Sequence, residues 1–261
     1  MSALLLDIGN SRLKWGLLKS ATIRDTGYIE LSVIREEGTS ALISQLPGRA
    51  DAIIACNVAG DDIAERVTVG ISSYFGHTIQ FIRSEARAYG VTNSYDEPHR
   101  LGVDRWVAMI GAHATSTNAC LIVDAGTAIT IDALDAGGHH LGGQIVPGLR
   151  LMAEALGKRT SDLPSLGNRL SEAGREGDGI FANTTSAAIS EGVIAAAVGA
   201  IERALRVLRQ NDCKPTLLLT GGDAKLIGRS LDEEVQIRPN LVLEGLARIV
   251  GQPKAMADLI E

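Results

Sequence analysis

The chain has 261 residues, of which 45% are hydrophobic, 21% are charged and only 3% are aromatic, and its formal net charge is −6. A core that relies on Leu, Ile, Val and Ala rather than on aromatic rings favours an α/β protein whose strands are covered by helices. The acidic chain has no cluster of Lys and Arg, on which nucleic-acid binding depends, so we expect no nucleic-acid partner.

The cysteines and the apolar runs indicate the compartment. Cys56 and Cys120 adjoin apolar segments typical of buried strands, and together with Cys213 they form no Cys-x-x-Cys motif, which favours a reducing environment. The apolar residues 1–6 are too few for a signal peptide, and Val193–Ile201 is far below membrane-spanning length. We therefore expect a cytoplasmic protein with no membrane partner.

The first predicted element is a β-hairpin. Leu4–Leu6 and Leu13–Leu18 are apolar segments, and Asp7-Ile8-Gly9-Asn10-Ser11 separates them, with the turn at the Gly-Asn-Ser tip. Strands and helices then alternate through the rest of the first half of the chain. They are a strand at Ile53–Cys56, a helix from Asp61 to near Gly76, a strand at Thr78–Ile82, an irregular stretch at Ala88–Leu101 and a helix from Val103 to about Ala114.

A second hairpin opens the other half of the chain. Its strands are Leu121–Val123 and Ile129–Leu134, and its turn is Asp124-Ala125-Gly126-Thr127-Ala128. The elements predicted after this hairpin are helices and one strand, separated by Gly-rich segments. They are a helix near Leu149–Leu156, a polar loop at Lys158–Asp178, a long helix at Thr185–Arg209, a strand at Thr216–Leu219 and a helix at Leu241–Val250.

The two hairpins form an internal repeat. Each has a strand, an acid, a glycine turn with a small polar residue, and a second strand, so that Asp7 matches Asp124 and Leu13 matches Thr130. A duplicated turn predicts two similar lobes facing each other. We place them at residues 1–115 and 116–261.

The repeated turns suit phosphate binding. A glycine turn can offer backbone N–H groups to a phosphate because no Cβ blocks the approach, and the preceding acid can hold Mg²⁺ directly or through water. One such turn is more often a plain hairpin, but two of them, with Gly221-Gly222-Asp223 after a third strand, favour a nucleotide site. The sequence has no P-loop, no G-x-G-x-x-G and no His-Arg-Asp loop, so an ATP site here belongs to the actin and sugar-kinase type.

An ordered set of motifs makes the prediction of an ATP site more specific. The motifs are Asp7-Ile8-Gly9-Asn10-Ser11-Arg12-Leu13-Lys14-Trp15, Leu101-Gly102-Val103-Asp104-Arg105-Trp106, Asp124-Ala125-Gly126-Thr127-Ala128, Gly142-Gly143-Gln144-Ile145-Val146-Pro147-Gly148, Thr220-Gly221-Gly222-Asp223 and Leu241-Val242-Leu243-Glu244-Gly245-Leu246. Together they resemble the type III pantothenate kinase family of the actin-like ATPase superfamily. The resemblance implies an α/β fold of two actin-like (ribonuclease H-like) lobes, with mixed sheets flanked by helices and ATP in the cleft between them.

The resemblance also implies a reaction and its residues. The reaction is ATP-dependent phosphorylation of pantothenate to 4′-phosphopantothenate, the entry to coenzyme A, with Asp104 as general base. The implied ATP contacts are Asp7, Ile8, Gly9, Asn10, Ser11, Arg12, Leu13, Lys14 and Thr127. The implied pantothenate contacts are Tyr95, Gly102, Val103, Asp104, Arg105 and Thr185, with Thr184 as an alternative to Thr185.

The same resemblance implies the cofactors and the oligomeric state. Mg²⁺ accompanies ATP, and Asp7 is expected to hold it directly or through water. Asp124 matches the residue that binds a monovalent cation, K⁺ or NH₄⁺. Family members are homodimers, and the Ala-rich helix at Thr185–Arg209 has a face of small residues suited either to a second copy or to an intramolecular neighbour.

Each assignment has a structural alternative. Asp104 also suits a helix start, Arg105 a surface ion pair, Tyr95 a loop anchor and Asp223 a helix cap. The fold also hosts other phosphotransferases and phosphate-ester hydrolases. Proteins of this family have also been described as accessory factors for transcriptional regulators, although retention of all three acids Asp7, Asp104 and Asp124 favours an enzyme.

Overall fold

The structure is a computed structural model that describes residues 2–157, 181–210 and 214–252. The chain divides into two compact units. Among the described residues, the first unit contains those up to Thr115 and those from Asn240 onward, and the second contains those within Ser116–Pro239. The loop predicted at 158–178 lies outside the described residues.

Twelve strands lie in the described part of the chain. They are β1 (Ser2–Ile8), β2 (Arg12–Lys19), β3 (Thr22–Glu30), β4 (Ala52–Asn57), β5 (Ile79–Phe81), β6 (Arg87–Ala88), β7 (Val91–Thr92), β8 (Cys120–Ala125), β9 (Ala128–Leu134), β10 (His140–Pro147), β11 (Thr216–Thr220) and β12 (Val235–Ile237).

Eight α-helices lie in the same part of the chain. They are α1 (Leu31–Glu37), α2 (Ser40–Ile43), α3 (Asp61–Phe75), α4 (Val103–His113), α5 (Leu149–Gly157), α6 (Thr185–Arg209), α7 (Ala224–Arg229) and α8 (Leu241–Gly251). None of these described helices combines the length and the apolarity that a bilayer crossing requires.

Both units are built on a five-stranded mixed sheet with the same topology. The strand orders are β3-β2-β1-β4-β5 and β10-β9-β8-β11-β12. In each sheet the first three strands are antiparallel neighbours, and the last three are parallel neighbours. This matched topology confirms the predicted α/β fold of two similar lobes with mixed sheets.

Side-chain alternation along β1 gives the first sheet two different faces. Leu4, Leu6 and Ile8 are fully buried in a core shared with α1, α2 and α3. The residues between them point to the opposite face, because successive side chains of a strand alternate. Helices α4 and α8 pack on β1 and β4 there, and Asp7 lies on that face at the end of β1.

The second sheet buries one face against its long helix. Val193, Ala197 and Ile201 of α6 form a core with Val123 and Ile131 of the sheet. The apolar residues of α6 recur at three- and four-residue intervals, so one side of the helix meets the sheet. The other side carries small exposed residues.

The last described helix belongs to the first unit rather than to the expected lobe 116–261. Helix α8 packs along α4, and two glycines allow the close approach. A Cβ on Gly245 would collide with the carbonyl oxygen of Val107, and a Cβ on Gly111 would lie 2.7 Å from the carbonyl oxygen of Leu241. Only glycine at these positions lets the two backbones meet.

The predicted elements are present, with ends shifted by a few residues. Sequence patterns missed the edge strands β3, β10 and β12, the short strands β6 and β7, and the helices α1 and α2. The β3 sequence alternates little and is mostly exposed, and β10 contains Gly142, Gly143 and Pro147. An edge strand with solvent on one side needs neither a strict apolar alternation nor a high β propensity. Such a strand therefore forms because it pairs with its neighbour in the tertiary structure.

We expect Gly245→Ala to destabilise the first unit. The new methyl group would have to displace the Val107 backbone, and overpacking of this kind costs about 1–3 kcal/mol. Urea unfolding measures the loss. Gly251→Ala in the same helix is the control, because a Cβ there meets nothing within 4 Å. Equal stability of the two variants would contradict the tight α4–α8 contact.

Candidate active site

A row of three side chains crosses the first sheet at the end of β1. Strand register places Asp7 opposite Lys14 of β2 and opposite Cys56 of β4. Residues directly opposite each other in neighbouring strands point to the same face. The row Lys14–Asp7–Cys56 therefore lies on the face covered by α4.

The turn after Asp7 is tight and open to solvent. The N–H of Gly9 donates to the carbonyl oxygen of Arg12 at 3.0 Å, and Asn10 and Ser11 are exposed. Ile8 and Leu13 have side chains in the core, so only their backbones face this turn. The turn has one residue more than the Asp124 turn, so the register pairs Lys14, rather than Leu13, with Asp7.

Arg12 lies at the same turn but is engaged with the neighbouring strand. Its Nε donates to Glu30 Oε1 at 2.7 Å, and its guanidinium stands 5.0 Å from the centre of the Tyr28 ring. Both partners of this ion pair are partly exposed. Exposed ion pairs contribute little to stability. Arg12 can therefore release Glu30 and bind another anion at a modest cost in free energy.

Asp7 is a buried carboxylate with an altered affinity for protons. Burial raises its pKa to about 6, the positive charge of Lys14 lowers it, and the charge of Asp104 raises it further. The thiol of Cys56 donates to Asp7 Oδ1 at 3.5 Å. Burial, and then the charges of Asp7 and Asp104, raise the pKa of Cys56 well above its usual value, so the thiol keeps its proton.

Asp104 stands at the beginning of α4, within electrostatic reach of Asp7. Gly102 precedes the helix and Val103 opens it. Asp104 Oδ1 accepts a hydrogen bond from the N–H of Arg105 at 2.8 Å, and a Cβ on Gly102 would lie 2.8 Å from that oxygen. The positive end of the helix stabilises the ionised carboxylate. Asp104 is half-buried, so solvent still reaches this end of α4.

Arg105 and Tyr95 form a second part of the site. Arg105 Nη1 donates to the Tyr95 hydroxyl at 2.9 Å, and the guanidinium lies 5.8 Å from the centre of the ring. Arg105 is 7% exposed, which rules out the surface ion pair considered from the sequence. Asn93 holds the loop, since its Oδ1 accepts from the N–H of Tyr95 and its Nδ2 donates to the carbonyl oxygen of Pro98.

The Asp124 turn repeats this construction in the second unit. Register places Asp124 opposite Thr130 of β9 and opposite the buried Thr220 of β11. The carbonyl oxygen of Thr127 accepts from the N–H of Gly148 at 3.0 Å. A Cβ on Gly221, whose φ is +92°, would lie 2.5 Å from Asp124 Oδ1. Glycine at this position leaves the space beside the Asp124 carboxylate open.

The start of α6 distinguishes the two candidate threonines. Thr184 is the N-cap, and its hydroxyl accepts from the N–H of Ala187 at 3.3 Å. Thr185 is exposed and lines an apolar groove of about 480 Å³ together with Met152 and Leu156. Asp223, considered as a helix cap from the sequence, makes no side-chain capping bond to α7.

Two buried contacts were not anticipated from the sequence. One is the Cys56–Asp7 hydrogen bond. The other joins His140 Nε2 and Asp132 Oδ1 at 3.0 Å, with both side chains almost fully buried in the second unit. Within the described ranges, no group of three or more His, Cys, Asp or Glu side chains forms a metal cage. Neither contact has a local sequence signal, because the partners belong to different strands.

Comparison with known sequences shows one family. The family model for type III pantothenate kinases matches residues 3–207. A type III pantothenate kinase of Aromatoleum aromaticum is 38% identical over 253 residues, covering 97% of this chain and 99% of the relative. A type III pantothenate kinase of Nitrosococcus oceani is 34% identical over 257 residues, covering 94% of this chain and 92% of the relative.

Solved structures agree at the level of the fold. A ROK family glucokinase from Streptomyces griseus, in complex with glucose and AMPPNP, has a TM-score of 0.54 at 13% identity and covers 95% of this chain and 99% of its own. A Campylobacter jejuni protein described as a Baf family transcriptional activator has a TM-score of 0.60 at 22% identity, covering 95% and 97%. Both similarities support the actin-like and sugar-kinase fold.

We expect the raised pKa of Asp7 to make stability depend on pH. A buried acid with a pKa near 6 instead of 3.8 favours the folded state below about pH 4, and that contribution is lost as the pH rises through 6. Relative to Asp7→Asn, the ligand-free wild type should lose about 3 kcal/mol of unfolding free energy over that range.

Urea unfolding of both proteins between pH 4 and pH 8 measures this difference. Asp61→Asn, which removes an exposed carboxylate from the first turn of α3, serves as the control and should follow the wild-type profile. A constant difference between wild type and Asp7→Asn at every pH would show that Asp7 is not the group responsible.

Proposed function

The chain belongs to the type III pantothenate kinase family and phosphorylates pantothenate in coenzyme A biosynthesis with ATP, and we propose that Asp104 is the general base. The observation that carries this proposal is the position of its carboxylate. It lies half-buried at the beginning of α4, within electrostatic reach of Asp7, and the N–H of Arg105 holds one oxygen. A base in that position can take the proton of a substrate hydroxyl.

A general base in phosphoryl transfer depends mainly on its orientation toward the substrate hydroxyl. Phosphoryl transfer passes through a loose transition state, so the protein contributes mainly positioning and charge stabilisation. The hydrogen bond from the backbone N–H of Arg105 to Asp104 Oδ1 orients the carboxylate. The product of this step is 4′-phosphopantothenate, and the proton of the primary hydroxyl of pantothenate moves to Asp104.

Asp7 is the proposed carboxylate for Mg²⁺, directly or through water. Mg²⁺ in kinases takes one or two carboxylates and keeps several waters, which fits a single buried acid better than a protein cage. The cost of burying the charge of Asp7, visible in its pKa of about 6, would be offset by a cation. When bound, Mg²⁺ neutralises charge on the ATP phosphates.

The turn after Asp7 is the proposed cradle for those phosphates. Gly9, Asn10 and Ser11 offer backbone and side-chain groups at an open turn, and Arg12 and Lys14 supply positive charge. Ile8 and Leu13 contribute only their backbones. In the second unit, the exposed Thr127 is the proposed nucleotide contact.

Tyr95 and Arg105 are the proposed contacts for the carboxylate and polar groups of pantothenate. A buried arginine is suited to a carboxylate because its planar donors match two oxygens, and Tyr95 fixes its position here. Gly102 and Val103 lie at the same helix start and would line the substrate. Thr185, with a hydroxyl not used as the N-cap, remains the proposed threonine contact.

Asp124 is the proposed site of the monovalent cation, K⁺ or NH₄⁺. Its carboxylate lies beside the turn carbonyls, and Gly221 keeps the neighbouring space free of side-chain atoms. Oxygen donors of this kind suit a hard cation.

We also propose a homodimer formed through α6. Ala188, Gly192, Ala195 and Gly199 are exposed and recur at intervals of three or four residues, so they form one face of small residues. Such a face lets a second helix approach closely.

Because the reaction consumes ATP, we propose that the protein works in the cytoplasm.

ADP release tests the reaction and the cation site together. With Mg-ATP and K⁺, we expect release only when pantothenate is present, and we expect it to fall when Na⁺ replaces K⁺. Asp124→Asn should lose the difference between K⁺ and Na⁺. Release that ignores pantothenate would indicate another acceptor or an ATPase, and ATP binding without release would indicate a nucleotide-sensing binder.

We expect Asp104→Asn to lower kcat by about 10²–10⁴-fold while ATP binds as in the wild type, because only proton transfer is removed. Steady-state kinetics and calorimetric ATP titration measure the two effects. Asp61→Asn is the control, since Asp61 also opens a helix, and it should keep full turnover. Normal turnover by Asp104→Asn would refute the base assignment.

A further inference from the structure

The carboxylate of Asp7 has an unusual hydrogen-bond partner. Within residues 2–157, 181–210 and 214–252, the thiol of Cys56 is the only group that hydrogen-bonds to it, through Oδ1 at 3.5 Å. Asp7 is 9% exposed and Cys56 is 1% exposed. A buried carboxylate usually gathers several donors, so one thiol leaves most of its acceptor capacity unused.

The strand register makes this contact a fixed part of the site. Asp7 and Cys56 are paired residues of the parallel strands β1 and β4, with Cα partners continuing from Ala3–Ala52 to Ile8–Asn57. The register therefore keeps the two residues side by side on the same face of the sheet. The Sγ atom lies 3.5 Å from Asp7 Oδ1, so the S–H group can donate to that oxygen.

We propose that Cys56 is a positioning residue for phosphoryl transfer, whose S–H holds Asp7 Oδ1 so that Oδ2 is presented to Mg²⁺ or its bound water. This inference rests on the proposed role of Asp7. A thiol is a weak donor. It orients the carboxylate and leaves most of the negative charge available to the cation.

The second unit offers a comparison at the equivalent position. The residue paired with Asp124 across the parallel strands is the buried Thr220, where the first unit has Cys56. Both residues have a small side chain with one hydrogen that can be donated. The repeat therefore places a donor of this kind beside each acidic residue, and in the first unit the donor is a sulfur.

Paired substitutions test the inference through the Mg²⁺ dependence of the intact enzyme. Cys56→Ala removes the donor, and Cys56→Ser keeps one in nearly the same volume. We expect Cys56→Ala to raise the Mg²⁺ concentration for half-maximal activity about three- to tenfold, with the KM for pantothenate unchanged. Cys56→Ser should stay within about twofold of the wild type. Calorimetric Mg-ATP binding without pantothenate should show the same order.

Two controls separate positioning from packing and from the role of Asp7. Cys120→Ala removes a buried strand thiol of the second unit and should leave the Mg²⁺ dependence unchanged. Equal impairment of Cys56→Ala and Cys56→Ser, with lowered thermal stability, would overturn the inference in favour of packing.

Asp7→Asn is measured in parallel. Wild-type Mg²⁺ dependence in Cys56→Ala, with loss of it in Asp7→Asn, would overturn the role of Cys56 and leave Asp7 standing. Unchanged Mg²⁺ dependence in both would overturn both roles, while pantothenate-dependent ADP release would still identify the reaction.

Discussion

A charged group buried at the end of a central strand is the constraint on which the first unit depends. Asp7 loses hydration at the end of β1, and burial raises its pKa to about 6. The fold tolerates this through its neighbours, because the strand register places Lys14 on one side of Asp7 and Cys56 on the other. The helix over this face brings Asp104 to the same region. Burial of the Asp7 carboxylate lowers the stability of the first unit. The same buried negative charge would attract a cation.

The same plan occurs in both units with different chemistry. Each central strand ends in an acid, followed by a glycine turn and flanked by one antiparallel and one parallel partner. In the first unit the flanking residues are Lys14 and Cys56, and in the second they are Thr130 and Thr220. A lysine adds positive charge beside the first acid only. The difference fits the proposed division of labour, with Mg²⁺ and phosphates at Asp7 and a monovalent cation at Asp124.

Glycine and helix packing position the helix that carries the proposed base. Helix α4 carries Asp104 and Arg105 at its start, and its other end is fixed against α8 by Gly111 and Gly245. Arg105 is in turn held by Tyr95 from a loop that Asn93 organises. The position of the proposed base therefore depends on residues more than 100 positions apart in the chain. Such contacts have no signature in a local motif.

The sequence by itself determined the α/β class, the two Asp-x-Gly hairpins and the family, because strand–turn–strand patterns and ordered motifs are local properties of the chain. It also identified Asp7, Asp104 and Asp124 as candidate acids. Only the tertiary structure decided that β3 and β10 are edge strands, that α8 joins the first unit, and that Cys56 donates to Asp7. These features depend on backbone pairing and close packing between distant segments, and neither is encoded in the periodicity of one segment.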